Sequence, residues 1–352
     1  MKIFVLNTGG TLGMAGKPLR PVKSAAQLLK GIKIPKGLEL TLEDFPEKED
    51  STNIPHVNRV RFAQRIAEVH DDHDAFLVLH GTDSLALTTS AFWMIFKQSL
   101  QKSVFVVGAQ KAKNEAGSDV SMQIANTLRI AKCFHRKNII GVYNVCIDDV
   151  WDGCRLKKRA DSDTMAFHTP GRSPVAKAWP TINLGEGLRN RLRDPVLAIQ
   201  GLRLDTRFER RVATFKVSVD DPPCVLMDQV EKRQLAGAIL ECRGAGNIPD
   251  RIFDQEEMPF SWIDALQRAT VAGIHVGILS PFEDGRVNLE RYELGKKAKD
   301  AGAISLESLT PDMADVKFRQ AIALHPNDPG RIQEFISTNI VGELLPGEED
   351  LE

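Results

Sequence analysis

Short apolar runs alternate with amphipathic stretches in the first half of the chain, and this alternation constrains the fold more than any other feature. The apolar runs are KIFVLN, AFLVLHG, SVFVVGAQ and NIIGVYNVCI, which are rich in Val, Ile and Phe and are typical of buried strands. Between them, residues 83–98 and 118–132 repeat apolar side chains at helical spacing, and Ser118 or Asp119 can cap the second helix. Strands that alternate with helices predict a parallel sheet covered on both faces.

A second series of strand-like runs follows a stretch rich in Pro, Gly and Arg. Residues 170–211 show weak periodicity, and we interpret them as a connection between domains with solvated or subunit-facing arginines. Later strand-like runs occupy residues 213–220, 235–247, 273–280 and 302–308. We predict an α/β protein with an N-terminal catalytic domain over residues 1–190, a linker over 191–211 and a smaller C-terminal α/β domain over 212–352.

Charge and cysteine content exclude several classes of partner and site. Lys and Arg number 46 against 47 Asp and Glu, so no charge excess points to nucleic acid or a membrane surface. The apolar run Ile3–Leu6 is too short for a signal peptide, and five scattered cysteines without a CxxC pair favour a reduced, cytoplasmic protein. The HDDHD segment at residues 70–74 is interpreted as a solvated loop, and we predict no metal and no other cofactor.

Two polar turns at predicted strand ends carry candidate chemistry. In the TGGT turn at residues 8–11, glycines let backbone N–H groups approach a carbonyl oxygen, beside a hydroxyl that can act as nucleophile. GxGxxG and the P-loop lysine are both absent from this turn, so a phosphate site is not indicated. In HGTDS, residues 80–84, Thr82 and Asp83 open a helix at a position suited to stabilising an oxyanion or a carboxylate. Considered alone, each of these motifs could equally be an ordinary structural turn or part of a catalytic site.

A threonine nucleophile requires a base. His80 ends its strand but lacks an acidic partner in the sequence to orient it. Lys157 and Lys158, within DGCRLKKRADSDTMAF, become candidates if burial lowers the pKa of one of them. The residues alone favour an ordinary pair of surface lysines. Composition and spacing therefore leave the identity of the base open.

The order of the motifs carries a family resemblance. NTGGTLGM, DSTNI, HGTDS, GAQ, SDVSMQIANTLRIA, DGCRLKKRADSDTMAF and GAGNIP occur in this order from Met1 to about residue 325. The chain resembles the bacterial-type L-asparaginases, a family that also includes glutaminase-asparaginases and an archaeal tRNA amidotransferase subunit. The resemblance implies a larger flavodoxin-like N-terminal domain, a smaller C-terminal domain, and a homodimer or homotetramer with sites at the subunit interface.

The resemblance also implies a role for each matched position. Thr8 would be the nucleophile on a mobile loop, and Lys158 would activate Thr82 beside Asp83. The implied substrate-binding residues are Asp50, Ser51, Gly81, Thr82, Asp83 and Ala109. Of these, the Asp50-Ser51 segment would bind the α-carboxylate, Asp83 the α-ammonium group, and the backbone of Gly108-Ala109 the amide. Asn247 would approach the site of a neighbouring subunit.

The implied activity is hydrolysis of L-asparagine to L-aspartate and ammonia through an acyl-enzyme, with L-glutamine as a second candidate substrate. Two positions depart from the family: Leu19 stands where many relatives carry a loop tyrosine, and Gln123 where relatives often carry asparagine. We expect residues 13–25 to form a mobile lid that buries Leu19 on closure.

Two alternatives remain at this stage. Without the loop tyrosine, the chain could bind an amino acid or amide with little turnover. A tRNA-dependent amidotransferase subunit is less expected, because those relatives carry an extra domain before TGGT and this motif begins here at Thr8.

Overall fold

A computed structural model of the chain describes residues 1–188, 201–232, 234–254 and 256–346. The chain divides into two compact units, Met1–Thr206 and Arg207–Glu352. This division lies within the predicted linker, of which residues 191–200 are outside the described residues. The exact limits of the linker therefore remain a prediction.

The first unit contains twelve described strands. They are β1 (Lys2–Gly9), β2 (Met14–Ala15), β3 (Arg20–Pro21), β4 (Glu39–Glu49), β5 (Ala75–Leu79), β6 (Val104–Val107), β7 (Val142–Cys146), β8 (Asp149–Asp152), β9 (Lys157–Lys158), β10 (Phe167–His168), β11 (Ala176–Lys177) and β12 (Asn183–Leu184). Of these, β1 and β5 to β8 are largely buried. Eight of the twelve strands form one sheet in the order β12-β11-β8-β7-β6-β5-β1-β4. The five strands from β7 to β4 in this order are parallel, which confirms the predicted parallel-rich α/β domain.

Helices of the first unit follow the strands as the alternation predicts. They are α1 (Ala25–Leu29), α2 (His56–Glu68), α3 (Leu85–Phe96) and α4 (Val120–Lys137). Ile3 and Val5 of β1 share one core cluster with Ile124 and Leu128 of α4. Helical spacing thus places the apolar stripe of α4 in the same core as alternate residues of the central strand.

Two segments of this unit differ from the sequence-based interpretation. Part of the predicted connection belongs to the large sheet, because Ala176 pairs with Val150 of β8 and with Leu184 of β12. Strands of two residues are too short to show a period-2 pattern, so the sequence did not indicate them. β4 was also missed: it is an edge strand of 11 residues in which only Phe45 is buried.

The second unit contains a smaller parallel sheet, as predicted. Its strands are β13 (Val212–Lys216), β14 (Gly237–Glu241), β15 (His275–Leu279) and β16 (Ile304–Ser305), which lie in this order. Its helices are α5 (Cys224–Lys232), α6 (Trp262–Val271), α7 (Glu293–Asp300), α8 (Pro311–Leu324) and α9 (Pro329–Ser337). Leu240 of β14 and Ile278 of β15 pack in one core with Trp262 of α6.

A buried ion pair fastens the end of the described chain to α8. The Lys317 Nζ donates to Glu343 Oε1 at 2.6 Å, and both side chains are inaccessible to solvent. The same ammonium donates to the carbonyl oxygens of Ile336 and Thr338, and the Glu343 carboxylate accepts from the N–H groups of Ile340 and Val341. Each buried charge is therefore compensated by several hydrogen bonds.

Candidate active site

The two polar turns meet at the carboxyl edge of the large sheet. β1 and β5 are parallel neighbours, so the TGGT turn and the HGTDS turn follow adjacent strand ends. Gly10 has a φ of 80°, and a Cβ placed on it would lie 2.2 Å from the Cα of Gly81. Only glycines allow the two backbones to come this close. The contact brings the residues after each glycine to one place.

The structure brings Thr82, Asp83 and Lys158 together. The Lys158 Nζ lies 3.0 Å from Thr82 Oγ1 and donates to Asp83 Oδ1 at 2.6 Å. Lys158 belongs to β9, where successive side chains point to opposite faces, so Lys157 points away from these groups. The side chain of Lys158 is only 19% exposed, whereas that of Asp83 is more open. A proton can pass between Nζ and Oγ1 along this contact.

Asp83 is the charged centre of this group. The hydrogen bond from Lys158 lowers the pKa of the Asp83 carboxyl below its usual value, although burial opposes the shift. A smaller lowering comes from Thr52, whose Oγ1 donates to Asp83 Oδ2 at 3.2 Å. The carboxylate is therefore held ionised, and its side chain remains 56% exposed to solvent.

Thr8 does not occupy the position expected of a nucleophile. It lies inside β1, it is fully buried, and its hydroxyl donates to the carbonyl oxygen of Leu79 at 2.9 Å. A substrate cannot reach this oxygen, so the assignment of Thr8 as nucleophile is corrected by its position.

Thr11, the other threonine of the motif, was missed by the sequence reasoning. It begins a 3-10 turn, Thr11–Gly13, directly after the Gly10–Gly81 contact, and it is only partly buried. Within the described ranges its hydroxyl forms no hydrogen bond. The TGGT motif itself was the signal, but choosing between its threonines requires knowing where β1 ends.

The segment predicted to bind the α-carboxylate, Asp50-Ser51, packs against the HGTDS turn. Ser51 is almost fully buried, and its hydroxyl accepts from the N–H of Asp83 at 3.1 Å. The Asp50 carboxylate accepts from the N–H of Thr52 and so begins the 3-10 turn Ser51–Asn53. These contacts fix the local fold of the segment, and its binding of the α-carboxylate stays a prediction.

The end of β6 lies behind Thr82. A Cβ on Gly108 would lie 2.9 Å from Thr82 Cγ2, so glycine is required there. Ala109 is buried and lines a narrow pocket shared with Thr82, and its contact with a substrate amide stays a prediction. Gln123 donates to Asp119 and accepts from the N–H of Ile147, so this departure from the family pattern serves a structural contact.

His80 takes no part in this group. It is fully buried, and desolvation lowers its pKa to about 4, so its imidazole is neutral at pH 7. Its Nδ1 lies 2.7 Å from the carbonyl oxygen of Gly81 and its Nε2 lies 3.0 Å from Thr88 Oγ1. His70 and His73 of the HDDHD segment are buried, so the segment is not a wholly solvated loop.

Two further features concern the expected lid and the expected chemistry. β2 and β3 pair as a hairpin, and the backbone N–H groups of Val22 and Lys23 both donate to the carbonyl oxygen of Gly13. Leu19 lies in the connection at the far end of this hairpin and is 44% exposed. The mobility of the lid stays a prediction.

Among the described residues, no group of three or more His, Cys, Asp or Glu is arranged to hold a metal ion.

Two remaining observations concern possible partners. Asn247 lies in the second unit, where its N–H donates to the carbonyl oxygen of Arg243 at 2.9 Å. Its expected approach to a neighbouring subunit stays a prediction. No helix in the described ranges has the length and apolar character needed to cross a membrane.

Comparison with known proteins identifies two domains along the chain. The family model "Asparaginase, N-terminal" matches residues 2–186, and "Glutaminase/Asparaginase C-terminal domain" matches residues 211–336. The L-asparaginase of Thermococcus kodakarensis is 27% identical over 357 residues, which cover 98% of this chain and 99% of that protein. A component of the glutamyl-tRNA(Gln) amidotransferase of the same organism is 27% identical over 283 residues, which cover 79% of this chain. The match spans only 60% of the length of that component.

Solved structures agree with the fold. The thermostable L-asparaginase from Thermococcus kodakarensis superposes with a TM-score of 0.84 at 26% identity, covering 99% of this chain and 100% of that one. L-asparaginase I from Vibrio cholerae superposes with a TM-score of 0.79 at 22% identity, covering 98% of this chain and 99% of that one. The second likeness concerns the fold alone.

Proposed function

Because the chain belongs to the asparaginase family, we propose that it is an amidohydrolase that converts L-asparagine to L-aspartate and ammonia. This membership confirms the resemblance predicted from the order of the motifs. The observation that carries the proposal is the hydrogen-bonded group of Thr82, Lys158 and Asp83 at the carboxyl edge of the sheet. Such a group supplies a polarised hydroxyl, a proton carrier and a fixed carboxylate.

We assign the attacking hydroxyl to Thr11. In the first half-reaction its oxygen bonds to the side-chain amide carbon of asparagine, the C–N bond breaks, and the hydroxyl proton is transferred to the departing nitrogen, which leaves as ammonia. In the second, water attacks the resulting ester, aspartate leaves, and the hydroxyl of Thr11 is restored. Backbone N–H groups of the glycine-containing turn are the natural donors for the oxyanion formed in each step.

The Thr82–Lys158 contact supports proton movement in both half-reactions. A hydroxyl that lies 3.0 Å from an amine can give and receive a proton without a metal. The exposed part of the Asp83 carboxylate is suited to the α-ammonium group of the substrate. Gly81 and Ala109 are proposed to contribute through their backbones, since neither has a polar side chain.

Release of ammonia from L-asparagine and L-glutamine by the purified chain tests the proposal. We expect turnover of L-asparagine, and no turnover of either amide at millimolar concentration would overturn it. Calorimetry that shows tight binding without hydrolysis would instead support an amino-acid binding protein. The choice between asparagine and glutamine depends on about one methylene of pocket depth, worth ~1–3 kcal/mol, so both amides belong in the assay.

The proposed assembly is a homodimer or homotetramer, and the proposed location is the cytoplasm. Both rest on the family resemblance and on the composition of the chain. Analytical ultracentrifugation of the wild type and of Asn247→Ala would measure the assembly and the contribution of this residue to it.

A further inference from the structure

The turn at residues 50–52 holds Asp83 at two points. Ser51 Oγ accepts from the backbone N–H of Asp83 at 3.1 Å, and Thr52 Oγ1 donates to its Oδ2 at 3.2 Å. The other carboxylate oxygen, Oδ1, accepts from Lys158 at 2.6 Å. Each oxygen of this carboxylate therefore has its own donor.

We propose that Thr52 is a positioning residue for the reaction: its hydroxyl orients the Asp83 carboxylate, which in turn holds Lys158 against Thr82. The proposal rests on the function proposed above. Thr52 acts through Asp83 and needs no contact with the substrate.

Orientation of this carboxylate requires more than one partner. The torsion that turns a carboxylate about its Cβ–Cγ bond has a broad energy profile, and the Asp83 side chain is 56% exposed. With Lys158 alone as donor, the carboxylate can turn and carry the flexible lysine away from Thr82. A second donor on Oδ2 removes this freedom.

Thr52 is itself well placed to serve as a fixed donor. Its N–H donates to Asp50 Oδ1 at 3.0 Å, which closes the local turn. The same turn is tied to the start of α3, because Ser84 Oγ donates to the carbonyl oxygen of Ser51 at 2.6 Å. Thr52 and Asp83 thus belong to two turns that are also joined by the hydrogen bonds of Ser51 with Asp83 and Ser84.

Charge on Asp83 reports this contact independently of turnover. The charged group that acts on the Asp83 carboxyl is Lys158, on β9. The uncharged hydroxyl of Thr52 stabilises the ionised carboxylate further, so both groups lower the pKa of Asp83. Removing the Thr52 hydroxyl should move the pKa of Asp83 up toward its ordinary value while the hydrogen bond from Lys158 is kept. A role in folding alone would not produce this shift.

The test compares Thr52→Val, which keeps the shape and removes the hydroxyl, with Thr52→Ser, which keeps the hydroxyl. We expect Thr52→Val to lower kcat for L-asparagine about tenfold with KM nearly unchanged, in line with ~1.5 kcal/mol for a hydrogen bond to a charged group. On the acid side of the pH profile, the activity of Thr52→Val should begin to fall at a higher pH than that of the wild type. Thr52→Ser should restore both properties. Thr181→Val, at an exposed threonine, serves as the matched control.

Each other result counts against the proposal. Unchanged kcat in Thr52→Val, equal loss in Thr52→Ser, or a rise in KM alone would show that Thr52 does not act by orienting Asp83. An NMR titration of the Asp83 carboxyl carbon in wild type and Thr52→Val decides the matter even without turnover. If the wild type hydrolyses neither amide, the proposed function fails, whereas an unchanged Asp83 titration overturns the role of Thr52.

Discussion

The backbone of Gly10 lies directly against the backbone of Gly81, so closely that a Cβ on Gly10 would be 2.2 Å from the Cα of Gly81. Thr11 and Thr82 follow these two glycines along the chain. In the proposed function, this contact is what brings the two threonines, which are far apart in sequence, to one site.

Gly81→Ala should disrupt this contact. The added Cβ would lie 2.5 Å from Ser51 Oγ and 3.1 Å from the Cα of Gly10, and overpacking of this kind costs ~1–3 kcal/mol. We expect at least a tenfold loss of asparaginase turnover in a folded protein, measured by ammonia release and circular dichroism. Gly330→Ala, in α9, is the control and should keep full activity. Normal turnover in Gly81→Ala would mean that the close approach is not needed.

The two threonines of the TGGT motif should respond differently to removal of their hydroxyls. Thr11→Val should lose nearly all turnover, because we assign the attacking oxygen to Thr11. Thr8→Val should keep turnover within a few-fold and lose about 1 kcal/mol of stability, since its hydroxyl is bonded inside the sheet. Steady-state kinetics and urea unfolding of the two variants separate these outcomes. The reverse result would restore Thr8 as the nucleophile.

Neighbouring lysines provide a matched pair. Lys158→Met should remove turnover, because Nζ bonds both Thr82 and Asp83, whereas Lys157→Met should be nearly silent. Removal of the ammonium should also raise the pKa of Asp83, for which the Lys158 hydrogen bond is the largest cause of lowering. Kinetics of both variants together with a titration of Asp83 measure this. Equal activities would exclude a catalytic role for Lys158.

His80 should make the protein less stable in acid. Its pKa is about 4 in the fold against 6.5 when unfolded, so between these values the unfolded chain binds more protons. Stability is therefore lost as pH falls from about 6.5 to about 4, by on the order of 3 kcal/mol from this residue. Urea unfolding at several pH values measures this slope, and His80→Gln should reduce it. An unchanged slope in the variant would assign the effect to other groups.

The Lys317–Glu343 pair should matter for folding of the second unit. Lys317→Met leaves a buried carboxylate without its ion partner, which typically costs ~3–5 kcal/mol. The exposed pair Lys297–Asp250 offers the control, since Lys297→Met should change the melting temperature little. Similar melting temperatures for both variants would show that the buried pair contributes no more to stability than the exposed pair.

Much of the architecture was predictable because it depends on local pattern. Apolar runs such as AFLVLHG have the length and composition of buried parallel strands, and α4 carries an apolar stripe at helical spacing. The two-residue strands β11 and β12 and the exposed strand β4 lacked any such pattern. They belong to the sheet through backbone pairing with neighbours, which no local sequence signal encodes.

The sequence by itself determined the family, the two domains and the motifs that supply the site, because these follow from residue types in order along the chain. Only the tertiary structure decided which groups face one another. β1 continues through Thr8 to Gly9, so this hydroxyl points to the carbonyl of Leu79, whereas Thr11 comes after the turn. Likewise, the contact between Thr52 and Asp83 exists because two turns meet at one edge of the sheet. The direction of a side chain depends on where its strand ends and on what lies opposite, and both are set by packing across the fold.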